Sequence, residues 1–213
     1  MNPRALARPV TQRPTIARWL ALAAAAALCG CITLFPKTAP SQLYRFDANV
    51  PAPTASGPPV AIRQGATDFD PAAGGDRILT VIGDQVAYIQ DARWAIPASE
   101  LFQQALDRGL NAPGGPTRLV DIGESGQAKY RLRLQVTHFE ARYLGGEKAP
   151  PTVFVTVRAT LDRQADGALI AEHPFEASVA AGDNRVGAIV EAYDAAVSKV
   201  VGDLAAWVAQ TAA

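Results

Sequence analysis

From Tyr130 to Thr137 the chain alternates. Tyr130, Leu132, Leu134 and Val136 fall on one side, and Arg131, Arg133, Gln135 and Thr137 on the other. A period of two marks a half-buried strand. The parity then reverses, with Phe139, Ala141 and Tyr143 as the apolar set. That reversal predicts a β-bulge near His138 or a strand passing between two environments. Val153, Val155, Val157, Ala159 and Leu161 alternate with Thr156, Arg158, Thr160 and Asp162, and Phe175, Ala177 and Val179 with Glu176 and Ser178. Asp166-Gly167 supplies the turn between these strands, and Pro174 predicts a break or an edge position.

Past Asp183, a candidate N-cap, the apolar spacing changes to three and four: Val186, Val190, Tyr193, Val197, Val200, Leu204 and Trp207. This predicts a long amphipathic helix over about residues 184–208 whose apolar face covers the sheet.

The N-terminal half is less regular. Leu43–Asp47 reads as a first strand, residues 48–59 as a Pro-, Ala- and Gly-rich loop, Val60–Ile62 as a second strand and Asp70–Asp76 as a turn. Arg77–Ile82 and Gln85–Ile89 flank Gly83-Asp84 and predict a hairpin. A helix follows, with Pro97 at its first helical position, a stripe of Leu101, Phe102, Ala105 and Leu106, and Gly109 as its C-terminal cap. Asn111–Pro116 is a turn. Together these elements predict an α+β domain: a mainly antiparallel sheet covered by a short central helix and a long C-terminal amphipathic helix. No internal repeat is visible.

The N-terminus follows other rules. Arg4, Arg8, Arg13 and Arg18, with no acidic residue, precede an Ala- and Leu-rich run from Trp19 to Leu28. A basic region, a short apolar core and a small residue before a cut site describe an export signal. The core is roughly half of the ~20 apolar residues a spanning helix needs. Leu28-Cys29-Gly30-Cys31 fits a bacterial lipoprotein signal, with Gly30 before Cys31 as the lipidated first mature residue. An ordinary signal cut after an Ala-x-Ala site is the competing reading. Residues 1–30 are thus expected to be a lipoprotein signal peptide, 31–41 a lipidated tether and 42–213 the folded domain.

Removing the signal leaves 16 basic against 20 acidic residues. This is not the basic footprint of a nucleic-acid binder, and it gives no polybasic route to a membrane. Cys29 and Cys31 are the only cysteines, so the folded domain holds no disulfide and no thiolate nucleophile. The two histidines, His138 and His173, have no metal-ligand spacing. Gly123-Glu124-Ser125-Gly126-Gln127 misses the nucleophile-elbow frame at Gln127. No catalytic residue, metal site or cofactor is therefore expected, apart from covalent lipid on Cys31. Arg131, Arg133, Arg142 and Arg158 are candidates for a basic strip across neighbouring strands, either a solvated face or a contact for anionic headgroups. Tyr88, Arg93 and Trp94 are candidate partner-binding residues, because these types are enriched at binding hot spots; packing of Tyr88 and Trp94 under the first helix is the alternative.

The chain resembles the ABC-type transport auxiliary lipoprotein family, which includes the PqiC-like lipoproteins. The resemblance rests on the motif ending at Cys31, Leu43–Asp47, Asp76–Leu79, Val86–Tyr88 running into Ala92–Trp94, Pro97 with Leu101–Leu106, Tyr130–Leu132, Val155–Leu161 and the closing Ala-rich helix. It implies a non-enzymatic lipoprotein on the periplasmic face of the outer membrane. Its partners would be an MCE-domain protein with its permease and ATPase, in a system moving lipids, phospholipids foremost, between the two membranes; a homo-oligomer is compatible with it. Ile32, where an Asp would favour inner-membrane retention, points to the outer membrane. A structural or regulatory lipoprotein of another envelope machine is the alternative, and a lipoprotein hydrolase would need a catalytic set not found here.

Overall fold

The alternation of Tyr130–Thr137 and its reversal build the central strand of the domain. The computed structural model describes residues 40–50, 58–120 and 128–212. The expected signal 1–30, Cys31, most of the tether and Gly123–Gln127 lie outside the described residues. Strands β1 (Gln42–Tyr44), β2 (Val60–Phe69), β3 (Arg77–Ile82), β4 (Gln85–Trp94), β5 (Thr117–Val120), β6 (Tyr130–Arg142), β7 (Thr152–Arg163) and β8 (Leu169–Ala180) form one sheet. The helices among the described residues are α1 (Ala98–Leu110) and α2 (Val186–Ala212). This is the expected α+β architecture.

β6, β7 and β8 form an antiparallel meander with β8 at an edge. Pro174 sits in that edge strand, where its missing N–H breaks no ladder on the open side. The β6–β7 register shifts between Val136 and His138, which is the bulge announced by the parity reversal. It lets Val136 and Phe139 both face the core, each at 1% exposure.

The other flank of β6 differs from a plain meander. β2 pairs along its first part and β3 near its end, both parallel, while β5 joins β2 and β1 joins β4 in parallel too. The longest ladders remain antiparallel, so the sheet is mixed. Parallel neighbours need long crossovers, and between β2 and its neighbour β5 the chain passes through β3, β4 and α1.

Several boundaries move. β2 runs to Phe69 with an irregularity between Gln64 and Thr67, β4 runs on to Trp94, and β5 was not expected from its four residues. Pro97 is the N-cap of α1, one residue ahead of the first helical position. Gly109 is not the C-cap. It lies inside α1, buried, and Asn111 caps the helix with its N–H donated to the Asp107 carbonyl. Glycine is needed at 109 for packing: a Cβ there would sit 2.5 Å from a Val201 methyl on α2. Asp183 does not cap α2 from the adjoining position; its carboxylate accepts the Asn184 N–H and pairs with Arg185.

The core lies between the sheet and the two helices. α2 packs on β7 and β8, with Val197, Val200 and Leu204 buried and Tyr193 set against Trp94 and Phe139, and its buried face is wider than the expected stripe because Ile189, Ala196, Val201, Ala205 and Val208 join it. Phe46, Phe69, Phe102, Trp94, Phe139 and Tyr193 form an aromatic cluster with centroids 4.9–6.0 Å apart.

Candidate functional site

Three regions could carry function: the Tyr88–Trp94 stretch, the helix-free face of the sheet, and the segment by which the N-terminal chain enters the domain. The first does not form a single site. Asp91 adopts a left-handed φ of 54°. On β3 two steps separate Arg77 from Leu79, while on β4 five separate their partners Arg93 and Tyr88. The chain bulges there, so the three residues diverge. Trp94 points into the core at 2% exposure, with T-shaped contacts to Phe46 at 5.3 Å and Tyr193 at 5.1 Å. It offers nothing to a partner, so the expectation of a binding residue at 94 is corrected, and packing explains its place. Arg93 lies at the surface and pairs with Asp76 at 2.9 Å. Tyr88 is half-buried; its hydroxyl donates to the Ala72 carbonyl at 3.1 Å, and the Arg77 guanidinium lies 3.7 Å from its ring centroid. Arg93 and Tyr88 remain surface groups, each already engaged within the fold.

The helix-free face carries the arginines expected as a basic strip. Strand pairing brings Arg131, Arg133 and Arg158 together as foreseen, but acids come with them: Arg131 and Arg133 share Asp162, and Arg158 has Glu172. Asp162, opposite Arg131 in the ladder, is 2% exposed. It accepts from Arg133 Nε at 2.7 Å and Nη2 at 3.3 Å, and from Arg131 Nη2 at 3.5 Å. The Arg133 hydrogen bond holds the Asp162 carboxyl below the usual carboxylate range, against the upward push of burial. Arg158 pairs with Glu172 at 3.0 Å and Arg142 with Glu140 at 2.5 Å. A strip compensated in this way favours the solvated-face account over a headgroup site. The signal for it was legible: Asp162 ends the β7 alternation directly across from an arginine pair.

The third region was not foreseen. Past β1, Phe46 enters the aromatic cluster and Ala48, at φ 42°, is buried. One carboxylate oxygen of Asp194, on α2, accepts the N–H groups of Asp47 at 2.8 Å and Ala48 at 2.7 Å. Arg108 of α1 donates to the Asp47 carbonyl. Val50 then lies over Gly109 and Gly202, within 3.4 and 3.7 Å of where their Cβ atoms would be. The entering chain is thus fastened to both helices before residue 51.

Among the described residues there is no group of three His, Cys, Asp or Glu side chains placed to hold a metal ion, and no helix long and apolar enough to cross a membrane. His138 is exposed at the bulge, and His173 stacks on Trp207 with centroids 6.2 Å apart.

Residues 47–205 match the family model described as the ABC-type transport auxiliary lipoprotein component. No curated protein matches the chain. Among solved structures, a Xanthomonas campestris protein of the DUF330 family is similar at TM-score 0.70 and 20% identity, covering 80% of this chain and 96% of its own. A second, described as an uncharacterized protein, is similar at TM-score 0.60 and 15% identity, covering 79% of this chain and 99% of its own. At these identities the two structures support the fold.

Proposed function

The chain belongs to the ABC-type transport auxiliary lipoprotein family, and from that premise we propose that it is a lipid-anchored, periplasm-facing outer-membrane component of an MCE-type transport system that moves lipids between the two membranes. The match over 47–205, nearly the whole folded domain, is the observation that carries this reading. It is a family of transport auxiliary lipoproteins, not of enzymes, and we take the role here to be mechanical: to hold a docking domain beside the transporter.

Cys31 is the proposed lipidation site. A single fatty chain binds a bilayer only marginally and stable anchoring takes two signals, so the three chains of a lipoprotein cysteine would hold the domain permanently. The net acidic mature chain and the compensated arginines agree with attachment through lipid rather than through surface charge.

Crosslinking and pull-down from envelope membranes, with wild type against Cys31→Ala, test the proposal. The expected result is recovery of an MCE-domain protein with its permease and ATPase from the wild type, with less from the variant. No MCE protein in either sample would overturn the transport reading, and absence of fatty-acid labelling at Cys31 would remove the anchor.

A further inference from the structure

Strand direction says which end of the domain meets the membrane. β1 is parallel to β4, with Gln42 beside Ala92 and Tyr44 beside Trp94. β4 runs away from the hairpin turn at Gly83-Asp84. Followed backwards from Gln42, the chain therefore heads toward that turn. Because β4 bulges between Tyr88 and Arg93, the distance is read along β3: Gln42 lies level with Ile78, five residues from Gly83, about 17 Å at strand spacing. The eleven residue steps from Cys31 to Gln42 span at most about 36–40 Å. The length of chain between Cys31 and Gln42 therefore exceeds the distance to the hairpin turn.

That end carries exposed apolar groups. Large hydrophobics exposed among the described residues include Val86 at 62% and Leu144 at 73%. Val86 pairs with Val81, Val81 pairs with Arg142, and Leu144 follows two residues later. Val81, Gly83, Arg142, Tyr143 and Leu144 line one shallow depression, and the Tyr143 N–H donates to the Val81 carbonyl at 2.9 Å. The hairpin tip and the β6–β7 loop thus form one surface. Leu169, 61% exposed, lies at the opposite end of the sheet, beside Asp162.

We infer that the β3–β4 hairpin tip and the β6–β7 loop form the membrane-facing end of the domain, with Val86 and Leu144 seated in the headgroup region of the bilayer that holds the Cys31 lipid. The inference rests on the proposed lipidation of Cys31. Apolar side chains are stabilised at the headgroup–acyl boundary. Two of them add little to an anchor of three acyl chains but fix the tilt of the sheet, and so which surface faces the periplasm.

The test uses the full lipidated protein on vesicles of phosphatidylethanolamine and phosphatidylglycerol. Single variants Val86→Cys, Leu144→Cys and Leu169→Cys carry an environment-sensitive fluorophore. Once Cys29 has left with the signal and Cys31 is acylated, the engineered residue is the sole thiol. Probes at 86 and 144 are expected to blue-shift on vesicles and lose intensity when the vesicles carry doxyl-labelled lipid, while the probe at 169, equally exposed and apolar, does neither. If the protein floats with the vesicles but 86 and 144 stay in water, or 169 shifts instead, the orientation is overturned and the anchor stands. A shift at 86 and 144 that follows protein concentration without vesicles would identify a second copy as the occupant and overturn the lipid contact. Failure to float would overturn the anchor and the orientation with it.

Discussion

Replacing Asp194 by alanine should loosen the join between the entering chain and the helices. The side chain spends one oxygen on two backbone donors, Asp47 N–H and Ala48 N–H, at 2.8 and 2.7 Å. A hydrogen bond to a charged group contributes about 1.5–3 kcal/mol, and a buried donor left unpaired costs a similar amount. Ala48 is 1% exposed, so water does not readily replace its partner, whereas Asp47 is exposed and its bond counts for less. Against this, Ala48 is held left-handed at φ 42°, and relaxing it recovers about 1 kcal/mol. The net loss should be about 1–3 kcal/mol, a sizeable share of the ~5–15 kcal/mol that domains possess. Urea unfolding should show a lower midpoint at unchanged slope, and the melting temperature should fall by about 2–12 °C for a chain of this size. Asp194→Asn keeps an acceptor oxygen and should lose less than half as much. Two results would refute the reasoning: a midpoint for the alanine variant within ~0.5 kcal/mol of wild type, the range of a neutral surface change, or an asparagine variant as damaged as the alanine one.

Acid should weaken the fold through Asp162. Its carboxyl is held below its ordinary range, so its contribution is complete at neutral pH, above the unfolded value, and is lost as pH falls through the folded one. Asp162→Asn should cost about 1–3 kcal/mol at pH 7 and flatten the acid limb of stability against pH; an unchanged limb would show that Asp162 does not cause it. Gly109→Ala places a Cβ 2.5 Å from a Val201 methyl and should destabilise by about 1–3 kcal/mol through overpacking, despite alanine's higher helix propensity. Calorimetry showing a stabilised variant would mean that the helices separate at no cost.

The elements legible in the sequence share one property: each buries a face whose period the chain displays. β6 and β7 alternate for eight residues or more, and the bulge at His138 could be located because a single misplaced parity is informative when both flanks are regular. β5 has four residues and one polar position facing out, too few to separate a strand from a turn. The parallel pairings depend on which distant segments meet, and no local pattern encodes that. Gly109 read as a cap because glycine ends many helices; its reason is a neighbour 92 positions away. Trp94 and Arg93 read as a hot spot because interfaces and cores draw on the same aromatic residues, but as consecutive strand residues they face opposite sides, Trp94 into the core and Arg93 to the surface. Asp194 gave no signal, since an acid on the polar side of an amphipathic helix is what solvation alone would place there.

These misses concern one function of the fold, which is how the N-terminal chain is received. A lipid anchor positions a domain only as well as the joint between them is defined. Here β1 adds to the sheet at Gln42, Phe46 enters the aromatic cluster, Asp194 and Arg108 hold residues 47 and 48, and Val50 lies between glycines of the two helices. The fastened part therefore begins at Gln42, eleven steps from Cys31, the proposed lipidation site. Weakening the Asp194 clamp should then do more than lower stability. It should also broaden the depth read by probes at Val86 and Leu144, which a merely structural role for Asp194 would leave unchanged.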